Sequence, residues 1–518
     1  MSDLLRIKRG MRVDLPELMQ GEFGFCLDDE ELYIGGVNGN VNITAAKNVY
    51  DVRKSGAKGD GITDDTLAIQ SLITTIGLNG GGVLYIPKNY IFITDVLNLK
   101  SNMIVNGGGT LKFKNDTTAF AFLVLDDLTN VVIEDVIFDG NVANQSAWIE
   151  FRHSIQVYGS TNVKIRNCLF KNTIGDCIYI SHNGNLVKSE NVSVYENSFI
   201  GTSVNRDGVT IIHAKNVKVH HNYFYHMGRD TMPGGIDIEP DSVNESVTNV
   251  LISDNIIVGG GTPQLQHGVS VNNNVGAIID AITIANNIFS GVFNYAISCF
   301  GNNGDFLKTK VVIIGNTIKL DNFVLAGSAA IIASSRCICD ISNNTIDAKT
   351  NFGIKLTGAK FRVNGNTIKN SAMEGIEENG GAFDSGTIDG NLIEDCGTNA
   401  AGQYGGLHIT GSYLDITNNK VLSSETTKSQ TGIYLEGGVK NFISGNTFKG
   451  MGARAMSINA APQAFGQNIY DNGFNAITGT YPPIAEAWVE GDMIFLPMAG
   501  APIYLCTVRG TPGTWRTL

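Results

Sequence analysis

The chain has 518 residues, 43% of them hydrophobic and only 17% charged, with 61 glycines against 11 prolines. That length exceeds one ordinary compact domain unless the chain is a repeat array, and the glycine-rich, charge-poor composition suits strands and turns. With 37 basic and 49 acidic residues the net charge is −12, which argues against duplex nucleic acid or an anionic membrane surface as partner.

Residues 1–48 open with "MSDLLRIKRG", which lacks the apolar stretch of a secretion signal, and no apolar run long enough for a transmembrane helix follows. The cysteines at 26, 168, 177, 299, 337, 339, 396 and 506 have no zinc-like spacing, so packed, reduced thiols and no metal or other cofactor are expected.

Residues 49–112 read as the opening of the fold. "TDDTLAIQSLI", from Thr63, has the pattern of a capped amphipathic helix with Thr63 or Asp64 at the N-cap. Asp64 and Asp65 are therefore expected to compensate the helix end and not to form a catalytic pair. The Gly80–Gly82 and Gly107–Gly109 runs lack the Lys-Ser/Thr of a phosphate loop and read as turns.

Residues 113–476 repeat. From residue 191 the chain reads "NVSVYENSF", "NVKVHHNYF", "NVLISDNII", "AITIANNIF" and onward to "KNFISGNTF" and "GQNIYDNGF". One asparagine recurs in phase: Asn197, Asn222, Asn255, Asn287, Asn316, Asn344, Asn366, Asn391, Asn419, Asn446 and Asn472. Two earlier copies put Val136 and Cys168 there. A second strand of the form small-Ile-x-Ile follows each. Such units cannot bury an apolar face alone, so they must stack as the coils of a parallel β-helix. The asparagine suits a left-handed turn and a ladder along the axis. A small C-terminal module occupies 477–518.

At "GAKGDGITDDTLAIQ" and "GGGVLYIP" the chain resembles the opening of the pectate-lyase-like superfamily of right-handed β-helices, in the form found in phage and prophage tailspikes. "GEFGFCLDDEELYIGG" is similar to N-terminal segments of phage tail fibres, and "IYLCTVRGTPGTWRTL" to C-terminal modules of such proteins. The resemblance implies a homotrimer in a virion tail, attached through its N-terminal segment. It would act outside the host cell on a bacterial capsular or exopolysaccharide.

"GGIDIEPD", residues 234–241, raises the functional question. In a strand Ile236 and Ile238 face one way and Asp237 and Glu239 the other, about 6.6 Å apart on an exposed face. Aligned copies put His153, Asp176, Asp207, Gly234, His267 and Tyr295 in one outward column. Gln156, Tyr179, Thr210, Asp237, Ser270 and Ser298 fall in the next. Acids gathered on coils about 4.8 Å apart, with no Lys in their columns, would repel and raise one another's pKa. Glycoside hydrolysis needs that combination of a protonated and an ionised carboxyl. Asp207, Asp237 and Glu239 are the catalytic candidates. Asp176, His267, Arg206, His213 and Tyr179 are candidates for substrate binding.

The stretch also resembles polygalacturonase-type hydrolases, whose coils carry Asn-Thr-Asp-Gly, paired Asp and Gly-His-Gly. Here the places read Asn205-Arg206-Asp207-Gly208, Asp237-Ile238-Glu239 and Gln266-His267-Gly268, without a following Arg-Ile-Lys. A polysaccharide lyase, using Arg206 or Arg229 with calcium among the acids, and a non-catalytic adhesin are the alternatives. Later in the chain "EGIEENGG" places Glu374, Glu377 and Glu378 in one coil. His220, His221 and His226 point apart and read as surface. Trp148, Tyr223 and Tyr225 suit either sugar stacking or corner packing.

Overall fold

In the computed structural model the repeats close into the coils of a right-handed parallel β-helix. The structure describes residues 7–470 except 29–30, 44–47, 118–120, 146–150, 203, 229–233, 261–266, 302–307, 322–326, 350–351, 381–384, 398–404, 425–430, 453, 459–463 and 466–467. Beyond 470 it describes the strands 493–495, 503–508 and 514–517. Trp148, Arg229, Gln266 and Asn472 therefore lie outside the described residues.

Three long parallel sheets, of 16, 16 and 14 strands, run the length of the helix, and each coil adds one strand to each sheet. A separate four-stranded sheet lies within Lys8–Asn42, and a three-stranded antiparallel one joins Met493–Phe495, Ile503–Val508 and Thr514–Thr517. Alternation explains the interior: each strand sends every second side chain inward, and these stack on their counterparts above and below. Phe138, Phe170, Phe199 and Phe224 form one such column, with ring centroids 5.0, 4.9 and 4.5 Å apart and nearly parallel planes.

The opening is plugged by helix α1 (Thr66–Leu78), which buries Ile69, Ile73 and Ile76 in the same core. Its N-cap is Asp65, not Thr63 or Asp64. The Asp65 side chain turns back to accept the N–H groups of Lys58 and Gly59, at 2.6 and 3.0 Å. Asp64 Oδ1 takes the first-turn N–H of Thr66 at 3.0 Å. The two acids thus divide the turn and the helix end between them.

The recurrent asparagines form a continuous ladder. From Asn197 to Asn446 each donates both its backbone N–H and its Nδ2 to Oδ1 of the next, at 2.9–3.0 Å, over sequence steps of 22–33 residues. The last rung is Asn468, four residues before the expected Asn472, because Asn468 directly precedes its strand as the other rungs do. The left-handed residue is also not the ladder asparagine but the one before it: Glu196, His221, Asp254, Asn286, Gly315 and their successors have φ of 55–72°. That single turn aims the following asparagine into the core. At the lower end Cys168 offers its N–H to Asn197 Oδ1 at 2.9 Å.

A second, exposed ladder accompanies the first. Asn130, Asn162, Asn191, Asn216 and Asn249 each donate Nδ2 to the asparagine one coil below, beginning at Asn102, and all lie at positive φ.

Cys26, Cys168, Cys177, Cys299, Cys337, Cys339 and Cys396 are buried, reduced thiols.

Candidate active site

The candidate acids lie on the 14-stranded sheet, on strands labelled here β1 (His153–Tyr158), β2 (Ile178–Ser181), β3 (Val209–Ile211), β4 (Gly234–Ile238), β5 (His267–Asn272) and β6 (Tyr295–Phe300). The register stacks Gln156, Tyr179, Thr210, Asp237, Ser270 and Ser298 in one column, as the alternation predicts.

A column of small residues sits just before each inward isoleucine or valine. At Gly208 a Cβ would stand 2.6 Å from the Phe224 ring, and at Gly235 it would stand 2.3 Å from the Gly268 carbonyl oxygen. These positions face the crowded corner, which reverses the alternation and turns the preceding residue outward. Asp176 and Asp207 therefore join the same face as Asp237.

That preceding column is tied coil to coil by its side chains. His153 Nδ1 accepts the N–H of Asp176 at 3.1 Å, Asp176 Oδ1 accepts that of Asp207 at 3.1 Å, and Asp207 Oδ1 accepts that of Gly234 at 2.5 Å. Because Nδ1 is an acceptor, His153 carries its proton on Nε2. Burial pushes its pKa down to about 4.

The face is not exposed, contrary to the expectation for an isolated outer strand. Asp176, Asp207 and Asp237 have 0% relative exposure, and Thr210, Ser270 and Ser298 beside them are buried too. Residues after β4 reach back over the face: Asp241 Oδ2 stands 3.5 Å from the Tyr179 hydroxyl, and Tyr179 stacks on His153 with ring centroids 4.6 Å apart. The acids are not without a cation either. Arg206 places Nε 3.5 Å from Asp176 Oδ1 and a terminal nitrogen 4.0 Å from Asp207 Oδ2.

Asp237 differs from its neighbours. Both of its carboxyl oxygens are buried, with the Glu239 carboxyl and the Ser270 hydroxyl as their polar neighbours. A carboxylate buried beside two other acids is costly, which favours the protonated form. Burial, then the charges of Asp207 and Glu239, push its pKa well above the ordinary carboxylate range. Asp207 is pushed up as well, by burial and by Asp176, with Arg206 opposing. Glu239, just beyond β4, is half-buried and accepts from Asn272 Nδ2 at 2.9 Å. The site thus pairs a sequestered acid whose ionisation is disfavoured with a carboxyl group that is partly open to solvent.

His267 follows one coil on, opposite Gly234 in register. Its Nδ1 lies 2.8 Å from the Ser298 hydroxyl, and burial pushes its pKa down to about 4. His213 stands apart from the columns. It sits at the corner after β3, where Nδ1 accepts the N–H of Ser246 at 2.6 Å, beside His182. His153, Asn272 and Ser298 hold the candidates in place and were not among them; only the paired register of neighbouring coils points to these roles. His220 and His221 do not point apart: their Nδ1 atoms are 2.9 Å from each other, because His221 is the left-handed residue of the turn. Among the described residues no group of three His, Cys, Asp or Glu is arranged to hold a metal ion.

Fold and site together define a right-handed parallel β-helix carrying a buried acid constellation on one sheet. Residues 49–239 match the family model described as rhamnogalacturonase A/epimerase, pectate lyase-like, and residues 328–481 match that of the right-handed β-helix region. The chain thus carries a pectate-lyase-like domain and, further along, a right-handed β-helix region. Among curated proteins it is similar to mannuronan C5-epimerase AlgE1 of Azotobacter vinelandii, 31% identical over 117 residues that cover 20% of this chain and 8% of the epimerase. It is also similar to alginate lyase 7 of that organism, 40% identical over 67 residues, or 12% of this chain and 8% of the lyase. This chain therefore spans less than a tenth of each of these two relatives. Among solved structures, a double mutant of the tailspike protein of E. coli bacteriophage HK620 superposes with a TM-score of 0.51 at 14% identity, covering 82% of this chain and 79% of the tailspike.

Proposed function

We propose that this chain is a tailspike-type depolymerase that hydrolyses glycosidic bonds in a bacterial surface polysaccharide. The observation that carries the reading is Asp237: a fully buried carboxyl group set between Asp207 and the half-exposed Glu239, with the Ser270 hydroxyl beside it. A group kept neutral in this way is suited to protonate the glycosidic oxygen as the bond to the anomeric carbon breaks. Glu239, steadied by Asn272, takes a proton from the water that adds to that carbon. Asp207 keeps Asp237 protonated by its proximity, and Arg206 limits the build-up of negative charge in its column. His267 and Tyr179 offer ring faces and polar edges to the sugar beside them. A virion-tail location, a homotrimer and attachment through the N-terminal segment belong to the same reading. The tailspike likeness supports it at the level of fold.

β-Elimination on a uronate polymer is the second reading, prompted by the short similarity to an alginate lyase and an epimerase. It needs a group to abstract a proton from carbon. Arg206 is held against Asp176 and remains charged at any working pH, so it is a poor base. The deciding assay follows new reducing ends and unsaturated-uronate absorbance together on a panel of bacterial polysaccharides. Reducing ends alone, lost in Asp237→Asn and Glu239→Gln, establish hydrolysis. Absorbance appearing with the ends establishes a lyase, and binding without shortening establishes an adhesin.

A further inference from the structure

The two columns that carry Asp207 and Asp237 continue up the sheet, and carboxylates return to them in the coil five above Asp237. From Asp237 the register runs through Ser270, Ser298 and Ile332 to Lys355, Glu377, His408 and Tyr434. At about 4.8 Å per coil, Glu377 stands about 24 Å from Asp237. Between the two regions the outer face is apolar, with Ile332 and Phe352 buried against Tyr295, Phe300 and Met373.

The upper cluster is built, not merely acidic. Glu374 occupies the place of Asp207 in its own coil, where its carbonyl accepts the N–H of Gly353. It is 3% exposed, its Oε1 lies 3.6 Å from His408 Nδ1, and its Oε2 is buried without a hydrogen-bond partner among the described residues. Glu377 is ion-paired with Lys355 at 2.8 Å, which offsets the cation beside the cluster. His408 also meets Glu436 at 2.8 Å and stacks on the half-exposed Tyr434 ring, with centroids 5.0 Å apart and planes at 20°. Orphaned acceptor capacity thus lies beside an aromatic platform, the two elements that hold a pyranose by its hydroxyls and its C–H face.

We propose that Glu374, Glu377, His408 and Tyr434 form a second carbohydrate-binding site, distinct from the Asp237 site, that takes a neutral hexose or N-acetylhexosamine unit of a polysaccharide. The surplus of carboxylates repels uronates and phosphorylated sugars, since Lys355 is already neutralised. Burial and the charge of Glu377 push Glu374 up to about 7, so near neutrality it can offer a sugar hydroxyl either an O–H or a lone pair. The site does not depend on whether Asp237 cleaves anything.

The test uses the full chain carrying Asp237→Asn, so that no polymer is consumed, on surfaces bearing dextran, an N-acetylhexosamine-containing O-antigen, or alginate. Retention on at least one neutral polymer and not on alginate is expected. Tyr434→Ala and Glu374→Gln, each added to Asp237→Asn, should weaken it at least tenfold with an unchanged melting temperature. Unchanged retention in the Tyr434→Ala protein overturns the proposal, as does retention on alginate alone or on no polymer. Should Glu374→Gln disturb folding, the surface substitution at Tyr434 decides by itself. If neutral polymers bind through Tyr434 but the unmutated chain shortens none of the panel, the hydrolase reading fails and this site stands. If polymers are shortened while Tyr434→Ala leaves both binding and KM untouched, this site fails and the hydrolase reading stands.

Discussion

Asp207 accepts the backbone N–H of Gly234 across the gap between two coils, at 2.5 Å, while its other oxygen stays buried toward Arg206. One side chain therefore joins the scaffold and faces the candidate reaction centre. Asp207→Asn can keep the tie through its side-chain carbonyl, whereas Asp207→Ala leaves the Gly234 N–H without a partner. The expected cost of the alanine form is about 1–3 kcal/mol, read from denaturant unfolding, with little loss for the asparagine form. Both should lose turnover, so the pair separates the structural tie from the charge.

Asp237→Asn should reduce the release of reducing ends by about 10²–10⁴-fold, the range for removing a general acid. Stability should hold or rise, because the change removes a group that burial and its neighbours' charges already disfavour in ionised form. Loss of fold together with loss of activity would show that Asp237 is a structural residue.

Stability should fall as pH rises from about 4.5 to about 7. Glu374 has an ordinary value of 4.5 and is pushed up to about 7 in the folded chain, so between those values the folded form keeps a proton that the unfolded form has lost. Its contribution is complete below 4.5 and disappears as pH climbs through about 7, on the order of 3 kcal/mol at about 1.4 kcal/mol per unit. The groups facing it are Glu377, His408, Lys355 through Glu377, and Glu436 through His408. Denaturant unfolding at pH 4.5 and pH 8 should show the drop, and Glu374→Gln should reduce it. Asp207 and Asp237, also raised, act in the same direction and should leave a remainder in that variant.

Asn287→Ala removes one ladder rung at 0% exposure. It takes away the donors to Ile252 O and Asn316 Oδ1 and the acceptor for Asn255. Leaving those buried groups unpaired should cost about 2–4 kcal/mol. Asn216→Gly in the exposed ladder keeps the left-handed backbone and should cost well under 1 kcal/mol by the same measurement, because water replaces the lost partners.

Gly235→Ala tests the crowded corner. Its Cβ would stand 2.3 Å from the Gly268 carbonyl oxygen, a backbone atom that cannot swing aside, so about 1–3 kcal/mol should be lost on denaturant unfolding. Gly208→Ala and Gly268→Ala are less informative, since the Phe224 and Phe289 rings also stand beside those places and can shift.

Much of this architecture is legible from periodicity alone. The alternation around Ile236 and Ile238 and its in-phase copies give the coil, the sheet and the column in which Asp237 stands. Three features resist such reading. The full burial of Asp176, Asp207 and Asp237 is a property of stacked coils and of contacts such as that of Asp241 with Tyr179, and strand patterns carry no trace of it. The final rung, Asn468, competes with Asn472 four residues later; the choice depends on which strand pairs with Thr447–Lys449. His213 looks like a neighbour of the acids by sequence distance, yet a corner turns it toward Ser246. In each case a contact between distant segments decides, and a local pattern cannot contain it.

The ladder keeps its bonds at 2.9–3.0 Å whether the chain between rungs is 22 or 33 residues long. Whatever is added at a corner is absorbed outside the rail, so the corners can diversify while the rail stays the same. A coil is in that sense a unit of inheritance: it can be lengthened, exchanged or given a new recognition loop without renegotiating the fold on either side of it.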